Sequence, residues 1–283
     1  MTTAPATVAR TLRDLVVVEG EDATTYLQGQ LSQDIAALPV GGSAPSFVLA
    51  PQGKVDGWGR VHRVAADRFE IDVDPGAGAA WAARLSRFLL RTKATVAVIE
   101  AVATIERRGT GVEGGLAPLG PGIAGGDVVG WDAAGPPPGT PDGAEVIDDD
   151  AREALRIRAG VPVWGAELDA DTIPATVGQW AIDASVSFTK GCYTGQELVA
   201  RIDSRGGNVP RHLAGIVVDG PAPAIGAAVV VDGAEIAAVT SAAPDGPGAV
   251  ALAYVPRSVE LGADGVAATV AGVPARIVPL PIA

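Results

Sequence analysis

Residues 187–211 have the sequence SFTKGCYTGQELVARIDSRGGNVPR. They hold the only cysteine of the chain, Cys192, which lies between two glycines and two residues after Lys190. Thr194 and Glu197 fit the S/T-x-x-E capping box, in which the first residue caps a helix and the Glu side chain bonds back to its amide. The stretch therefore predicts a helix capped by Thr194, with the cysteine just ahead of the helix N-terminus.

The position of Cys192 leaves two interpretations open. A helix N-terminus and a neighbouring ammonium group both favour the thiolate, which would make this side chain a redox, metal-contacting or nucleophilic thiol. The alternative is a small apolar residue packed in the interior, a common role for a free cysteine. Lys190, taken by itself, is typical of a solvated surface lysine.

The segment KGCYTGQE at residues 190–197 resembles the signature of the YgfZ family of folate-binding proteins, which are related to the glycine-cleavage T-protein, an aminomethyltransferase. Three further segments resemble parts of the same family: LQGQL at 27–31, PQGKV at 51–55, and LRI with GVP between 155 and 162. The resemblance extends over residues 8–283, and in the C-terminal part it lies in the pattern of short apolar runs and turns rather than in a sequence motif.

The resemblance implies both a ligand and a role. The ligand is tetrahydrofolate or a derivative, bound non-covalently. The role is to support the assembly or repair of iron–sulfur proteins, so that iron–sulfur clients or assembly proteins would be partners. Cys192 and Lys190 are the residues expected to carry the chemistry, and the sulfur is expected to open onto a hollow for the pterin. The residues expected to bind the cofactor are Gly191, Tyr193, Gly195, Gln196, Glu197, Gln28 and Arg201.

Two positions differ from the T-protein. The T-protein has a turn with two adjacent Asp residues, and the first of them lies near the reactive folate nitrogen. The resemblance places Asp56 at that first position, as a general acid/base or an orienting group, but Gly57 replaces the second Asp. Asp56 is equally typical of a hairpin turn on a solvated face. Arg158 stands where the T-protein has a Glu for the pteridine. A cation cannot accept the N–H donors of a pterin ring, so this change argues against T-protein-like binding.

The anionic glutamate tail of a folate favours an arginine partner, because a guanidinium binds a carboxylate through two parallel hydrogen bonds. The sequence offers six candidates: Arg84, Arg87, Arg91, Arg201, Arg205 and Arg211. Arg84 and Arg91 are more typical of a solvated helix face. Trp164 and Trp180 flank the signature, and either stack on a pterin or pack in the core.

The predicted fold class is α+β, with two mixed α/β lobes that form the folate-binding unit and a C-terminal antiparallel β-barrel. Short Val, Ile and Ala runs after residue 213, separated by Gly, Pro and Asp turns, indicate the barrel. The predicted domains are 1–210 and 211–283, with the Gly- and Pro-rich segment 109–143 between the lobes. Helices are expected at 21–31, 78–91 and 151–159, and strands at 12–18, 46–49, 55–64, 68–73 and 94–103.

Composition narrows the function classes. A net charge of −12 disfavours nucleic-acid binding through bulk charge, and 48% hydrophobic residues argue against disorder. One cysteine allows no disulfide within the chain, and one cysteine with two histidines predicts no metal site. The sequence has no evident targeting or membrane-spanning segment, so we expect a cytoplasmic protein without a membrane partner.

Three functions remain. The first is a tetrahydrofolate-binding accessory protein for iron–sulfur proteins that uses a reactive Cys192. The second is a folate-dependent aminomethyltransferase or a related one-carbon transferase. The third is an interaction module in which the signature is only a capped helix. The replaced Glu and the KGCYTGQE segment favour the first.

Overall fold

The computed structural model describes residues 5–131 and 137–283. Residues 132–136 of the predicted Gly- and Pro-rich segment lie outside this part of the chain. The described residues form a seven-stranded sheet in the first half of the chain and a closed six-stranded barrel at its C-terminal end. The predicted mixed α/β class with a C-terminal antiparallel barrel is confirmed.

Helices pack against the sheet and against the barrel. In the described residues they are α1 (Ala23–Gln30), α2 (Gly78–Ser86), α3 (Asp149–Ala159), α4 (Gln179–Ser185) and α5 (Gln196–Asp203). The predicted helix 78–91 is too long, because α2 ends at Ser86. Beyond it Leu89 packs against the core, but Phe88 is 47% and Leu90 86% exposed, so the segment buries no continuous apolar face as a helix. No helix in the described ranges is long and apolar enough to cross a membrane.

The caps of α3 agree with its sequence. The Asp148 side chain accepts a hydrogen bond from the amide of Ala151 at 2.9 Å, and Gly160 ends the helix with a φ of 72°. A left-handed residue at this point is commonly glycine, because glycine has no Cβ to clash. The acidic first turn of α3 also suits the positive N-terminal end of a helix. The predicted helix 151–159 is confirmed.

The sheet consists of β1 (Thr7–Glu19), β2 (Ser43–Leu49), β3 (Val55–Ala65), β4 (Arg68–Val73), β5 (Thr95–Arg108), β6 (Gly125–Val129) and β7 (Glu145–Val146). Its strand order is β2-β3-β4-β1-β5-β6, and β7 pairs in parallel with the start of β1. β1 pairs with β4 on one side and with β5 on the other. It is therefore the central strand, and its two faces decide where the apolar core and the cavity lie.

Alternation along β1 separates these two faces. Val16 and Val18 are fully buried in an apolar core with residues of α1 and α2. Thr11 and Arg13 project from the opposite face into a cavity. The register with β5 shifts between Arg13 and Leu15, because β5 has one extra residue between Ile99 and Val102, which is a bulge in β5.

The barrel contains β8 (Arg211–Val218), β9 (Ala228–Val231), β10 (Ala234–Asp245), β11 (Gly248–Pro256), β12 (Val266–Val270) and β13 (Val273–Val278). Closure runs through β10-β11-β8-β13-β12-β9. Ala154 and Ile157 of α3 pack against Leu213 and Leu252 on the outside of the barrel. The proposed domain boundary after residue 210 rests on the start of the first barrel strand at Arg211.

Arg107 organises the Gly- and Pro-rich segment. Its side chain is buried and donates to the carbonyl oxygens of Gly126, Glu113, Pro138 and Gly114 at 2.8 to 3.1 Å. Burial lowers the pKa of this guanidinium. A segment with little regular structure of its own is thus held by one side chain that satisfies its carbonyl groups.

Candidate functional site

The three best-matched motifs of the sequence meet in space. We call residues 28–31, 51–54 and 190–197 the signature cluster. The amide of Thr194 donates to the carbonyl of Gly29 at 3.2 Å, which joins the signature to the end of α1. Gly195 lies against the turn between β2 and β3, where its carbonyl is close to Gly53. The cluster thus unites segments more than 130 residues apart.

Lys190 holds the cluster together. Its Nζ donates to the carbonyl oxygens of Gln28, Leu31 and Gln33 at 2.6, 2.7 and 2.8 Å. An ammonium has three N–H donors, so the carbonyls take all of them. The ammonium also lies 5.1 Å from the centre of the Tyr193 ring. Burial lowers the pKa of Lys190 to about 8. Lys190 is therefore not a solvated surface lysine, and it has no N–H left to stabilise a thiolate.

Two glycines allow the signature to approach the β2–β3 turn. A Cβ on Gly195 would lie 2.4 Å from the carbonyl oxygen of Ala50, and a Cβ on Gly53 would lie 2.4 Å from Cβ of Leu198. Both glycines also have a positive φ, of 81° and 83°. The close contact and the left-handed backbone both favour glycine at these two positions.

The predicted capping box is wrong. α5 begins after Gly195, which occupies the cap position and has no side chain to accept a bond. Thr194 lies one residue too early to cap, and Glu197 is exposed. The side chain of Gln196 instead accepts from the amide of Tyr193 at 3.1 Å. The cause is tertiary, because the close approach to the turn requires glycine where a helix by itself would favour Ser or Thr.

Cys192 is free and exposed. The alternative of a cysteine packed in the interior is therefore wrong. The neighbouring Gly191 is also exposed, and the same loop carries Phe188 with 48% of its surface open. The anchored Lys190 on one side and the start of α5 on the other fix the backbone of this loop. A thiol so placed faces the outside of the molecule.

Asp56 is bound to an arginine. The Nε of Arg84 donates to its Oδ2 at 2.9 Å, while the other two nitrogens of Arg84 donate to Gln30 Oε1 at 3.2 Å and to the carbonyl of Leu49 at 2.9 Å. Arg84 is buried, so the expectation of a solvated helix-face residue is wrong for it. Each of the three nitrogens of Arg84 therefore already donates to an acceptor of the protein. Asp56 keeps 28% of its side chain exposed, and its role in chemistry remains a prediction.

A cavity of about 690 Å³ lies between the inner face of the sheet and α3. We call it the central cavity. Its wall includes Trp58, Arg60 and Asp72 of the sheet and Arg152 and Arg156 of α3. The loop at 119–124 and Ser241 of the barrel complete it.

A buried charge network forms the inner wall of the central cavity. Arg60 donates to Asp72 at 2.8 Å and to Asp127 at 3.0 Å, and Arg13 donates to Asp72 at 3.2 Å. Arg108 also pairs with Asp127. Burial opposes ionisation of Asp72, but the two guanidinium groups outweigh it and lower its pKa. Asp72 therefore stays ionised and paired at neutral pH.

The structure separates the predicted site residues from the cavity. Cys192, Lys190 and Asp56 do not line it, and neither does the predicted cofactor-binding Arg201. The sulfur does not open onto this cavity, because the signature packs on the β2–β3 turn and not on the inner face of the sheet. The expectation of a hollow for the pterin beside the sulfur stays a prediction. The remaining predicted cofactor-binding residues, which are also absent from the cavity wall, are Gln28, Gly191, Tyr193, Gly195, Gln196 and Glu197.

The two tryptophans singled out in the sequence pack in the core. Trp164 and Trp180 are partly buried against the apolar clusters, and neither lines the central cavity. Trp180 meets Trp58 edge-on, with ring centres 6.0 Å apart at 80°. Trp58 is the tryptophan that borders the cavity, and its Nε1 donates to Ser185 Oγ at 3.0 Å.

Sequence reasoning missed the cavity wall, although a signal for it exists. Arg13, Arg60 and Asp72 occupy strand positions with at most 15% of the side chain exposed. Charged residues at buried strand positions are uncommon unless they are paired. Arg158, which the sequence singled out, also lines the cavity, and it pairs with Asp245 at the end of β10. In the described part of the chain, no group of three or more side chains suited to a metal ion is found.

Comparisons with known proteins support the motif resemblance and the fold. No protein-family model matches the chain. An uncharacterized protein of Haemophilus influenzae is 28% identical over 219 residues, which are 71% of this chain and 70% of that protein. The tRNA-modifying protein YgfZ of Yersinia pestis is 51% identical over 55 residues, 19% of this chain and 16% of that protein. The YgfZ of Serratia proteamaculans is 46% identical over 65 residues, 23% of this chain and 19% of that protein.

The fold is similar to that of the glycine cleavage system aminomethyltransferase T from Bartonella henselae. The TM-score is 0.76 at 22% identity, over 99% of this chain and 87% of that one. The chain is YgfZ-like in sequence and T-protein-like in fold. The matched YgfZ segments span less than a fifth of those proteins' length, so their activity and partners are matters of proposal for this chain.

Two glycines of the same motif provide a matched test of the cluster. Gly195→Ala places a methyl group against the Ala50 carbonyl at a residue with positive φ, and should cost at least about 2 kcal/mol of unfolding free energy. Gly191→Ala meets nothing within 4 Å at an ordinary φ, and should change stability by less than about 0.5 kcal/mol. Urea unfolding measures both. Equal stability of the two variants would contradict the close contact.

Proposed function

We propose that this chain binds a reduced folate in the central cavity. The observation that carries the proposal is a hollow of about 690 Å³ with one aromatic wall, Trp58, and a wall of paired charges. Such a volume lies in the range of small-molecule sites, which combine apolar area with a few convergent polar groups. The YgfZ-like sequence and the fold shared with an aminomethyltransferase support a pterin-containing ligand over other planar molecules.

The chemistry of the wall agrees with this ligand. A pterin ring has N–H donors and ring nitrogen acceptors, and the inner wall offers the carboxylates of Asp72 and Asp127 beside the guanidinium of Arg60. A carboxylate has several acceptor sites, so a pairing with arginine leaves some of them for a ligand. Trp58 supplies a rigid ring against which a planar ligand can pack.

We further propose that the protein supports the assembly or repair of iron–sulfur proteins through Cys192. The support is an exposed thiol on a fixed loop, together with the YgfZ-like signature around it. One cysteine cannot hold a cluster alone, so the remaining ligands would come from a client or assembly protein. Because the thiol lies outside the central cavity, the folate and the sulfur would act at separate places. A cytoplasmic location belongs to the same proposal, since a free exposed thiol suits a reducing compartment.

A folate-dependent aminomethyltransferase is the second candidate, and the shared fold favours it. Arg158 counts against it. This residue lines the cavity, but its guanidinium donates to the Ala283 carbonyl at 2.9 Å and pairs with Asp245. It therefore joins α3 to the barrel and offers no carboxylate to a pterin.

The first test is a calorimetric titration of the protein with 5-formyltetrahydrofolate. We expect a dissociation constant in the micromolar range or tighter, which corresponds to a binding free energy of about −8 kcal/mol or more favourable. A rise in melting temperature with ligand concentration should accompany it. No heat and no thermal shift at millimolar ligand would leave the folate proposal without support and would favour a pure interaction module.

The second test concerns the thiol. Cys192→Ser should leave stability and folate affinity unchanged, because the side chain is exposed and lies outside the cavity. The variant should fail to restore the activity of an iron–sulfur tRNA-modifying enzyme in cells that lack their own YgfZ. Gly191→Ala, at the preceding exposed position, is the matched control and should complement. Full complementation by Cys192→Ser would mean that the sulfur has no role.

The third test separates the two candidate functions. In a reconstituted glycine-cleavage reaction with its carrier protein and tetrahydrofolate, the chain should release no ammonia above the rate without enzyme. The aminomethyltransferase T of Bartonella henselae serves as the positive control. Turnover by this chain at a rate comparable to that control would establish the second candidate instead.

A further inference from the structure

The arginines around the central cavity differ in how completely their N–H donors are paired with protein acceptors. On the inner wall, Arg60 and Arg13 each have carboxylate partners, and their side chains are only 3% and 15% exposed. Toward the rim, Arg158 is 35% exposed but pairs with Asp245. A buried or well-paired guanidinium has little capacity for another anion, so these three residues are poor candidates for a ligand carboxylate.

Arg152 is the exception. Its Nη1 reaches Glu106 Oε1 only at 3.4 Å, and its Nε is buried without a hydrogen-bond partner. Glu106 is shared, since Arg108 lies 3.3 Å from its other oxygen. The Nε is sealed from the cavity and so from a ligand, but the long contact with a shared Glu106 leaves the Nη side of the guanidinium incompletely paired at the cavity wall, where an anion can complete it.

The surroundings of Arg152 suit the outer part of an elongated ligand. Its side chain is 26% exposed, so it lies nearer to solvent than the inner network. Leu12 and Leu155 also line the cavity and are 48% and 40% exposed. An apolar rim with one incompletely paired guanidinium fits an aromatic linker that ends in an anionic group.

We propose that Arg152 binds the anionic glutamate tail of the folate at the rim of the central cavity. This inference rests on the proposed folate binding and extends it to a residue outside the six arginines that the sequence suggested. Of those six, none lines the cavity, and the three donor nitrogens of Arg84 are already bound to protein acceptors. The guanidinium would receive a carboxylate in the two-bond geometry that arginine favours.

The experiment compares two ligands on three proteins. The ligands are 5-formyltetrahydrofolate and its diamide, in which both tail carboxylates are neutral amides. The proteins are the unsubstituted chain, Arg152→Met, and Arg201→Met as the matched control on α5. Calorimetry gives the dissociation constants, and urea unfolding verifies that each variant is folded.

The unsubstituted chain should bind the diacid at least tenfold more tightly than the diamide. Arg152→Met should lose at least tenfold for the diacid and bind both ligands equally, while Arg201→Met should behave like the unsubstituted chain. Arg152→Lys should recover part of the preference, because it keeps the charge without the planar fork.

Other outcomes identify which statement fails. If no protein binds either ligand, the proposed folate binding fails. If the unsubstituted chain binds the diacid and Arg152→Met binds it equally well, the inference about Arg152 is overturned while folate binding stands. A loss confined to Arg201→Met would assign the tail to α5, as the sequence had suggested.

Discussion

The pairing of Arg60 with two carboxylates is the interaction on which the central cavity depends. Arg60 on β3 reaches Asp72 on the neighbouring β4 and Asp127 on β6, at the far edge of the sheet. Transferring these ions out of water costs several kcal/mol each, and only close pairing offsets that cost. With apolar residues at these positions, the inner face of the sheet would collapse into a second core. With paired ions it remains a polar wall, and a hollow can persist between the sheet and α3.

The opposite face of the same sheet shows what the charges prevent. There Val16, Val18 and Phe69 are fully buried in an apolar core with residues of α1 and α2. β1 contributes to both faces, and the bulge of the neighbouring β5 lies opposite the stretch between Arg13 of the cavity wall and Val16 of the core. One strand therefore fixes the position of the cavity relative to the packed side of the domain, and a ligand in the cavity would contact residues whose backbone is held by the core.

Much of the fold could be predicted from the sequence, because its signals are local. The Asp148 cap and the terminal Gly160 define α3, and turn residues between short apolar runs define the barrel. The cavity wall could not be predicted in this way. Arg60 lies 67 residues from Asp127, and nothing in either neighbourhood indicates the pairing. The capping box failed for a related reason, since a contact with Ala50 decides the residue at the start of α5.

The motifs predict which segments of the chain meet in the fold, but they do not predict the chemistry of the residues in them. Lys190 would, as a motif residue, be assigned to catalysis, yet its ammonium is bound to three carbonyls at the end of α1 and acts as a positioning group. Gly53 and Gly195 permit the contact that this ammonium secures. Lys190, Gly53 and Gly195 thus all serve to fix one loop, in which Cys192 stays exposed together with Gly191. These contacts hold a surface loop in one position, and they leave its thiol exposed and outside the lining of the central cavity.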